Sequence, residues 1–333
     1  MIKAIASHLP VTTLTNEQLA REFGDWTAEK IFEKTGIRQR HISGPDQCAS
    51  DLAFEAAKTL LESVGTSSMD FLLFCSQAPD YLLPTTACLL QHRLGLPTTC
   101  GSLDYNLGCS GYIYGLALGQ SLIHSGLGQN VLLLTADTYT HYLRPEDRST
   151  RTIFGDGASA TLLSSAARSR LHSFVFGTDG SGAEQLIVRS GGARGRTPAG
   201  RRQAEASAGN SNAVDEACLF MNGPEIFSFT IQAVPALVGA VMKKAGLSLG
   251  QVDYFVFHQA NAFMLEHLRK RLKIPTGKFE FCLEHCGNTV SSTIPIALES
   301  AIHANRIKPG MKVLLAGFGV GLSWGGCILE WND

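Results

Sequence analysis

The chain repeats itself, and that repeat constrains its fold more than any other feature. Residues 69–76 read MDFLLFCS and residues 252–259 read VDYFVFHQ, each an Asp followed by a continuous apolar run. Runs of this kind fit strands buried on both faces. Each leads into a helical stretch, LPTTACLLQHRLGL and AFMLEHLRKRLKI, and each then reaches a short strand, SLDYNLGC at 102–109 and KFEFCLEHCGN at 278–288. A glycine turn and a long helix of small residues come next, GCSGYIYGLALGQSLIHSG and GNTVSSTIPIALESAIHANRI. Apolar strands follow at 130–137 (NVLLLTAD) and 312–319 (KVLLAGFG), then Gly-punctuated strands at 154–164 (FGDGASATLLS) and 318–330 (FGVGLSWGGCILE). Matches that recur in one order point to duplication.

Two βαβαβ-type halves follow from this order, assigned to residues 1–168 and 169–333 of the 333. Buried strands alternating with helices predict an α/β protein with mainly parallel sheets covered on both sides. Composition agrees: 44% of residues are hydrophobic and 17% charged, so much of the chain must be interior. A net charge of −1 removes the electrostatic footprint of a dedicated nucleic-acid binder, and hydrophobicity this high excludes a disordered chain. An extra segment, 138–152, separates the last two strands of the first half. The stretch 191–216, rich in Gly, Ala, Ser and Arg, predicts a long surface loop. No run of 18 apolar residues is present, so no membrane span is expected, and the N-terminal residues lack a signal-type apolar stretch. The expected location is the cytoplasm. The nine cysteines are odd in number and contain no C-x-x-C, so neither a disulfide framework nor a metal site is expected.

Duplication also locates a candidate site. Gly108-Cys109 occupies the place of Gly287-Asn288, where a strand turns into a long helix, and His258 aligns with Cys75 at the end of a buried strand. Open α/β sheets put their ligands at such carboxyl ends. Cys109 is the candidate nucleophile, since a helix N-terminus supplies free N–H groups and lowers a thiol pKa. Its own N–H is placed to bind an oxyanion. Taken singly, a His like His258 is more often a hydrogen-bonded core histidine, and an Asn like Asn288 more often a turn residue or helix cap. Together with a cysteine they also suit a papain-like protease. The duplication, and the absence of a Trp shortly after Cys109, set that reading aside.

The chain resembles β-ketoacyl-ACP synthase III of the thiolase superfamily over essentially its whole length. The resemblance rests on EKTGIRQRH (33–41), NLGCSGYIYGL (106–116), RTIFGDGASATLL (151–163), FHQAN (257–261), HCGNT (285–289) and GFGVGLSWG (317–325). It implies a thiolase-like fold, a five-layered α-β-α-β-α sandwich, and a homodimer that uses acyl-CoA and acyl carrier protein with neither metal nor cofactor. By the same resemblance Cys109 takes an acyl group from acyl-CoA. His258 and Asn288 stabilise the enolate left when a malonyl thioester loses CO2. The N–H groups of Cys109 and Val320 hold the tetrahedral oxyanion, and Phe318 walls the malonyl carboxylate. Gly319, Gly223, Phe227, Arg151 and Leu83 fall at further substrate-binding positions, Leu83 on a loop reaching into the partner's acyl pocket. Arg269, Lys270 and Arg271 form a basic run suited to an acidic carrier protein.

Other members of the superfamily differ at single residues. The GFGVG turn lacks the second Cys of degradative thiolases, Asn288 stands where elongating synthases carry a second His, and no Glu occurs between Leu103 and Asp137. Three positions also depart from the housekeeping pattern. Phe263 replaces an Arg after FHQAN, Pro224 replaces an Asn in MNGPEIF, and Lys30 stands near the place of a Trp, the nearest being Trp26. This altered entrance keeps open an acyltransferase that moves the group from Cys109 to a hydroxyl or amine, with His258 as general base. A non-catalytic partner subunit is the third class, and the intact Cys109, His258 and Asn288 speak against it.

Overall fold

The computed structural model describes residues 1–66, 68–194 and 216–332. The chain begins with β1 (Ile2–His8), β2 (Thr13–Thr15), helices α1 (Asn16–Phe23) and α2 (Ala28–Thr35), and β3 (Gln39–His41). It continues through α3 (Ala49–Val64), β4 (Phe71–Cys75), α4 (Thr86–Arg93), β5 (Gly101–Tyr105), α5 (Gly111–His124) and β6 (Asn130–Asp137). A one-turn helix α6 (Arg148–Arg151) precedes β7 (Gly157–Ser164), β8 (Arg170–Thr178), β9 (Leu186–Val188) and β10 (Leu219–Met221). Then come α7 (Gly223–Ala245), β11 (Tyr254–Phe257), α8 (Ala262–Arg271), α9 (Thr293–His303), β12 (Lys312–Gly319) and β13 (Ser323–Glu330).

The duplication is visible as strand order. One sheet runs β1-β7-β6-β4-β5 and the other β8-β13-β12-β11. Strands β4, β6 and β7 thus correspond to β11, β12 and β13, and each sheet has an antiparallel edge strand, β1 or β8, that the repeat had not included. Both sheets are mixed rather than mainly parallel: β4 pairs parallel with β5 and β6, and β11 with β12, while β7 and β13 run antiparallel to both neighbours. The link from β12 to β13 is too short for the crossover that a parallel pair needs. The strand expected at 278–288 shrinks to two isolated parallel bridges, Phe279 with Phe255 and Asn288 with Phe154. Between them the chain turns as a single helical loop, Gly287 N–H donating to the Leu283 carbonyl at 2.9 Å.

The elements stack as α-β-α-β-α, the five-layered thiolase-like sandwich. Helix α3 buries Leu52, Ala56 and Leu60 on the first sheet against Leu72, Phe74 and Leu132. Helices α5 and α9 lie between the sheets, where Tyr112, Leu116, Ile294 and Leu298 meet Leu73, Leu133, Val256 and Leu315. Small residues set that spacing: a Cβ on Gly115 would fall 2.6 Å from a Leu133 methyl. On the far side, α7 and α8 bring Val234, Leu237, Val241 and Leu265 against Phe255, Phe257, Leu314 and Ile328. Each such buried aliphatic side chain stabilises the fold by about 2 kcal/mol, so the middle of the sandwich is rigid ground for a site.

One helix, α7, is long and apolar enough by length and composition alone to cross a membrane, although it holds no unbroken run of 18 apolar residues. Its apolar face is occupied by packing on β8, β12 and β13. Most of the polar stretch 191–216, residues 195–215, lies outside the described residues.

Candidate active site

Three chain segments that the repeat relates converge on one cavity of about 120 Å³. It is lined by Cys109, His258, Asn288, Phe318 and Gly319, with Phe154, Met221, Gly223, Ile226 and Met264 among the apolar walls.

Cys109 sits at the turn from β5 into α5 and is 5% exposed. Burial pushes its thiol up to about 12, against the lowering expected from a helix N-terminus, while the Val320 and Cys109 N–H groups pull it back down. The resting cysteine is therefore a protonated thiol with two donors already aimed at its sulfur. Gly319 makes the approach of the β12 end possible, since a Cβ there would lie 2.7 Å from the Cys109 sulfur. A small latch holds the turn: Ser323 Oγ donates to the Val320 carbonyl at 2.9 Å and lies 2.7 Å from Ser110 Oγ.

His258 ends β11, 2% exposed. Desolvation lowers its pKa to about 3, so the ring is neutral. The edge of the ring meets Phe318, centroids 5.6 Å apart at 87°. Its Nδ1 lies 2.7 Å from Thr293 Oγ1, which leaves Nε2 as the nitrogen for the cavity. Asn288 follows the left-handed Gly287, and its backbone pairs with Ile153 and Gly155. Val290 N–H donates to Asn288 Oδ1 at 2.9 Å, which fixes the amide with its NH2 free to donate. Val290 holds φ +55, unusual for a β-branched residue, and its carbonyl oxygen lies 3.1 Å from Thr293 Oγ1.

The remaining named residues divide. Phe318, Gly319 and Gly223 line the cavity; Val320 borders it through its N–H. Phe227 stands outside, packed on Phe263 (centroids 5.6 Å) and His267 (5.2 Å), with Phe263 63% exposed. Arg151 does not reach the cavity. It pairs with Glu22 at 2.6 Å and the Pro145 carbonyl at 2.8 Å, and it lines a neighbouring cavity of about 360 Å³ across Phe154. Leu83 is 82% exposed and lines neither cavity. Arg269 is engaged by Glu266 and the Ile274 carbonyl; Lys270 and Arg271 are exposed, and Lys270 also pairs with Glu266 at 3.3 Å. Pro224 lies in the first turn of α7, where a missing N–H costs nothing. The Trp26 ring is surrounded by cations, with Lys30 Nζ 5.1 Å, Lys34 Nζ 5.8 Å and the Arg148 guanidinium 5.9 Å from its centroid.

Supporting residues were not anticipated. Asp137, at the end of β6, accepts from Gln77 N–H at 2.8 Å and from Ser291 N–H and hydroxyl, and burial raises its pKa to about 7. The wholly buried Arg40 reaches Asn16 Oδ1, the Leu14 carbonyl and the Thr152 carbonyl, and its Cβ lies under Gly155 and Gly287. Its place in the IRQR run was the available signal. Thr293 had none, since its partner is remote in sequence. No group of three or more His, Cys, Asp or Glu suited to a metal occurs among the described residues.

A buried thiol under two backbone donors, facing a neutral imidazole and a carboxamide on a duplicated α/β scaffold, defines a thiolase-type cysteine enzyme. The chain matches the family described as 3-oxoacyl-[acyl-carrier-protein (ACP)] synthase III over residues 103–180 and its C-terminal counterpart over 242–331. It is 34% identical to the β-ketoacyl-[acyl-carrier-protein] synthase III of Caldanaerobacter subterraneus, covering 99% of this chain and 97% of that protein. A crystal structure of a 3-oxoacyl-(acyl-carrier-protein) synthase III is 50% identical with a TM-score of 0.93, covering 99% of both chains. A 3-oxoacyl-(acyl-carrier protein) synthase from Burkholderia xenovorans LB400 is 37% identical with a TM-score of 0.89, over 99% of this chain and 93% of that one. The chain belongs to the β-ketoacyl-[acyl-carrier-protein] synthase III family of condensing acyltransferases.

Proposed function

We propose that this enzyme loads an acyl group from acyl-CoA onto Cys109 and joins it to a malonyl thioester carried by acyl carrier protein, releasing CO2 and a β-ketoacyl thioester. The observation that carries this reading is the convergence of the Cys109 sulfur, His258 and Asn288 on one small, mostly apolar cavity. In the first half-reaction the sulfur attacks the thioester, the N–H groups of Cys109 and Val320 receive the oxyanion, and the thiol proton leaves with CoA. In the second, the malonyl group loses CO2. Its carbonyl oxygen, now an enolate, takes hydrogen bonds from His258 Nε2 and the Asn288 amide. The enolate carbon attacks acyl-Cys109, and the departing thiolate regains a proton from solvent. Phe318 gives the malonyl carboxylate an apolar neighbour, which favours its loss as neutral CO2.

Nothing in this scheme calls for a metal or cofactor. Lys270 and Arg271 at the end of α8 suit an acidic carrier protein. Tyr81, Leu82 and Leu83, 61%, 79% and 82% exposed, suit burial in a homodimer, with Leu83 then entering the partner's pocket. The assigned halves, 1–168 and 169–333, fit the division of strands between sheets, and the reducing cytoplasm fits nine unpaired thiols. Incubation with acyl-CoAs of different length, followed by peptide mass spectrometry, tests the first half-reaction. The acyl mass is expected on the peptide bearing Cys109. A full-mass adduct in a Cys109→Ala protein would overturn the assignment.

A further inference from the structure

His258 is useful to an enolate only if Nε2 carries the proton. A neutral imidazole has one N–H, and which nitrogen holds it is set by the partner of the other. That partner is Thr293 Oγ1, 2.7 Å from Nδ1, at the first residue of α9 and 2% exposed. A hydroxyl also has one proton to give. Turned to the Val290 carbonyl, 3.1 Å away, it leaves Nδ1 to donate to the hydroxyl and a bare Nε2 lone pair toward the cavity. Turned to Nδ1, it leaves the proton on Nε2.

We propose that Thr293 is a positioning residue whose hydroxyl donates to His258 Nδ1 and so presents Nε2–H to the thioester carbonyl oxygen. The proposal rests on the decarboxylating reading above. The geometry fits such a role. Asn288 Oδ1 is held by Val290 N–H and the hydroxyl of Thr293 is within reach of Val290 C=O, so one residue in left-handed conformation is tied to both cavity donors. Desolvation keeps the ring neutral, so a second N–H from protonation is not available at ordinary pH. The opposite rotor setting would make His258 an acceptor, the form that a general base for hydroxyl or amine acceptors requires.

The test compares wild type, Thr293→Val and Thr293→Ser in two separate assays: acyl transfer from acyl-CoA to Cys109, and CO2 release from malonyl-ACP. Thr293→Val is expected to lower the turnover of CO2 release by about 100-fold, as loss of an oriented oxyanion donor does. KM for malonyl-ACP and the rate of Cys109 acylation should stay near wild type, and Thr293→Ser should restore CO2 release. Nitrogen NMR of labelled histidine should show the Nε2–H form at His258 in wild type and lose it in Thr293→Val. Equal CO2 release in wild type and Thr293→Val, or an Nδ1–H form in wild type, would overturn the inference. A parallel fall in both assays would assign Thr293 a structural role and overturn it equally. A wild type that acylates Cys109 but releases no CO2 would instead overturn the decarboxylating reading.

Discussion

At the scale of single residues, the site works by burial. His258 is neutral because its position at the end of β11 is dry, and the cost appears in acid. Its pKa is about 3 folded, against roughly 6.5 for an unfolded histidine. A depressed folded pKa gives stability that is present above the unfolded value and drains away as pH falls from 6.5 toward 3. Between pH 7 and pH 5 this single group should remove about 2 kcal/mol. Urea unfolding of His258→Asn should therefore show a shallower loss over that interval than wild type. Identical losses would mean that His258 is not held neutral. For Asn288, whose amide is fixed by Val290 N–H, replacement by Ala should slow CO2 release by about 100-fold and leave acylation of Cys109 nearly intact, measured by the two assays separately. Equal effects on both would contradict its assignment to the enolate.

At the scale of elements, the site exists because strand ends approach helix starts more closely than side chains allow. A Cβ on Gly319 of β12 would fall 2.7 Å from the Cys109 sulfur, so Gly319→Ala must push the two apart. The expected result is a protein that folds but acylates Cys109 at least about tenfold more slowly, since misplacement by 1 Å costs up to 100-fold. Unchanged acylation would show that the turn relaxes freely. This scale also shows what a single sequence reveals. The apolar runs of β4, β6, β11 and β12 were legible because strands buried on both faces leave an unbroken pattern. Edge strands β1 and β8 were not, since IKAIASH and RLHSFVFGT mix exposed and buried positions. KFEFC resembles a strand by alternation, yet Glu280 is drawn inward by Arg306 and Tyr254, and the chain bends after Phe279. Cys109, His258 and Asn288 were findable because duplication marks equivalent strand ends. Thr293, Asp137 and the Glu22 partner of Arg151 were not, because each acts through a contact distant in sequence.

At the scale of the whole molecule, two similar sheets clasp α5 and α9, and the groups that line the cavity come from both: Cys109 from the first sheet's side, His258 and Phe318 from the second. Neither half alone assembles the cavity. The exposed Leu82 and Leu83 carry the account one level further. If the proposed homodimer forms through this loop, Leu83→Asp is expected to shift the protein toward monomer in sedimentation velocity and to weaken acylation, because a charge there opposes burial in a partner. An unaltered sedimentation coefficient would remove Leu83 from the interface. The central claim is that one cavity both accepts an acyl group and decarboxylates a malonyl thioester. Its most direct test is to count products when acyl-Cys109 enzyme meets malonyl-ACP. One CO2 and one β-ketoacyl-ACP should appear for each acyl group lost from Cys109, and acyl loss without CO2 would contradict the account.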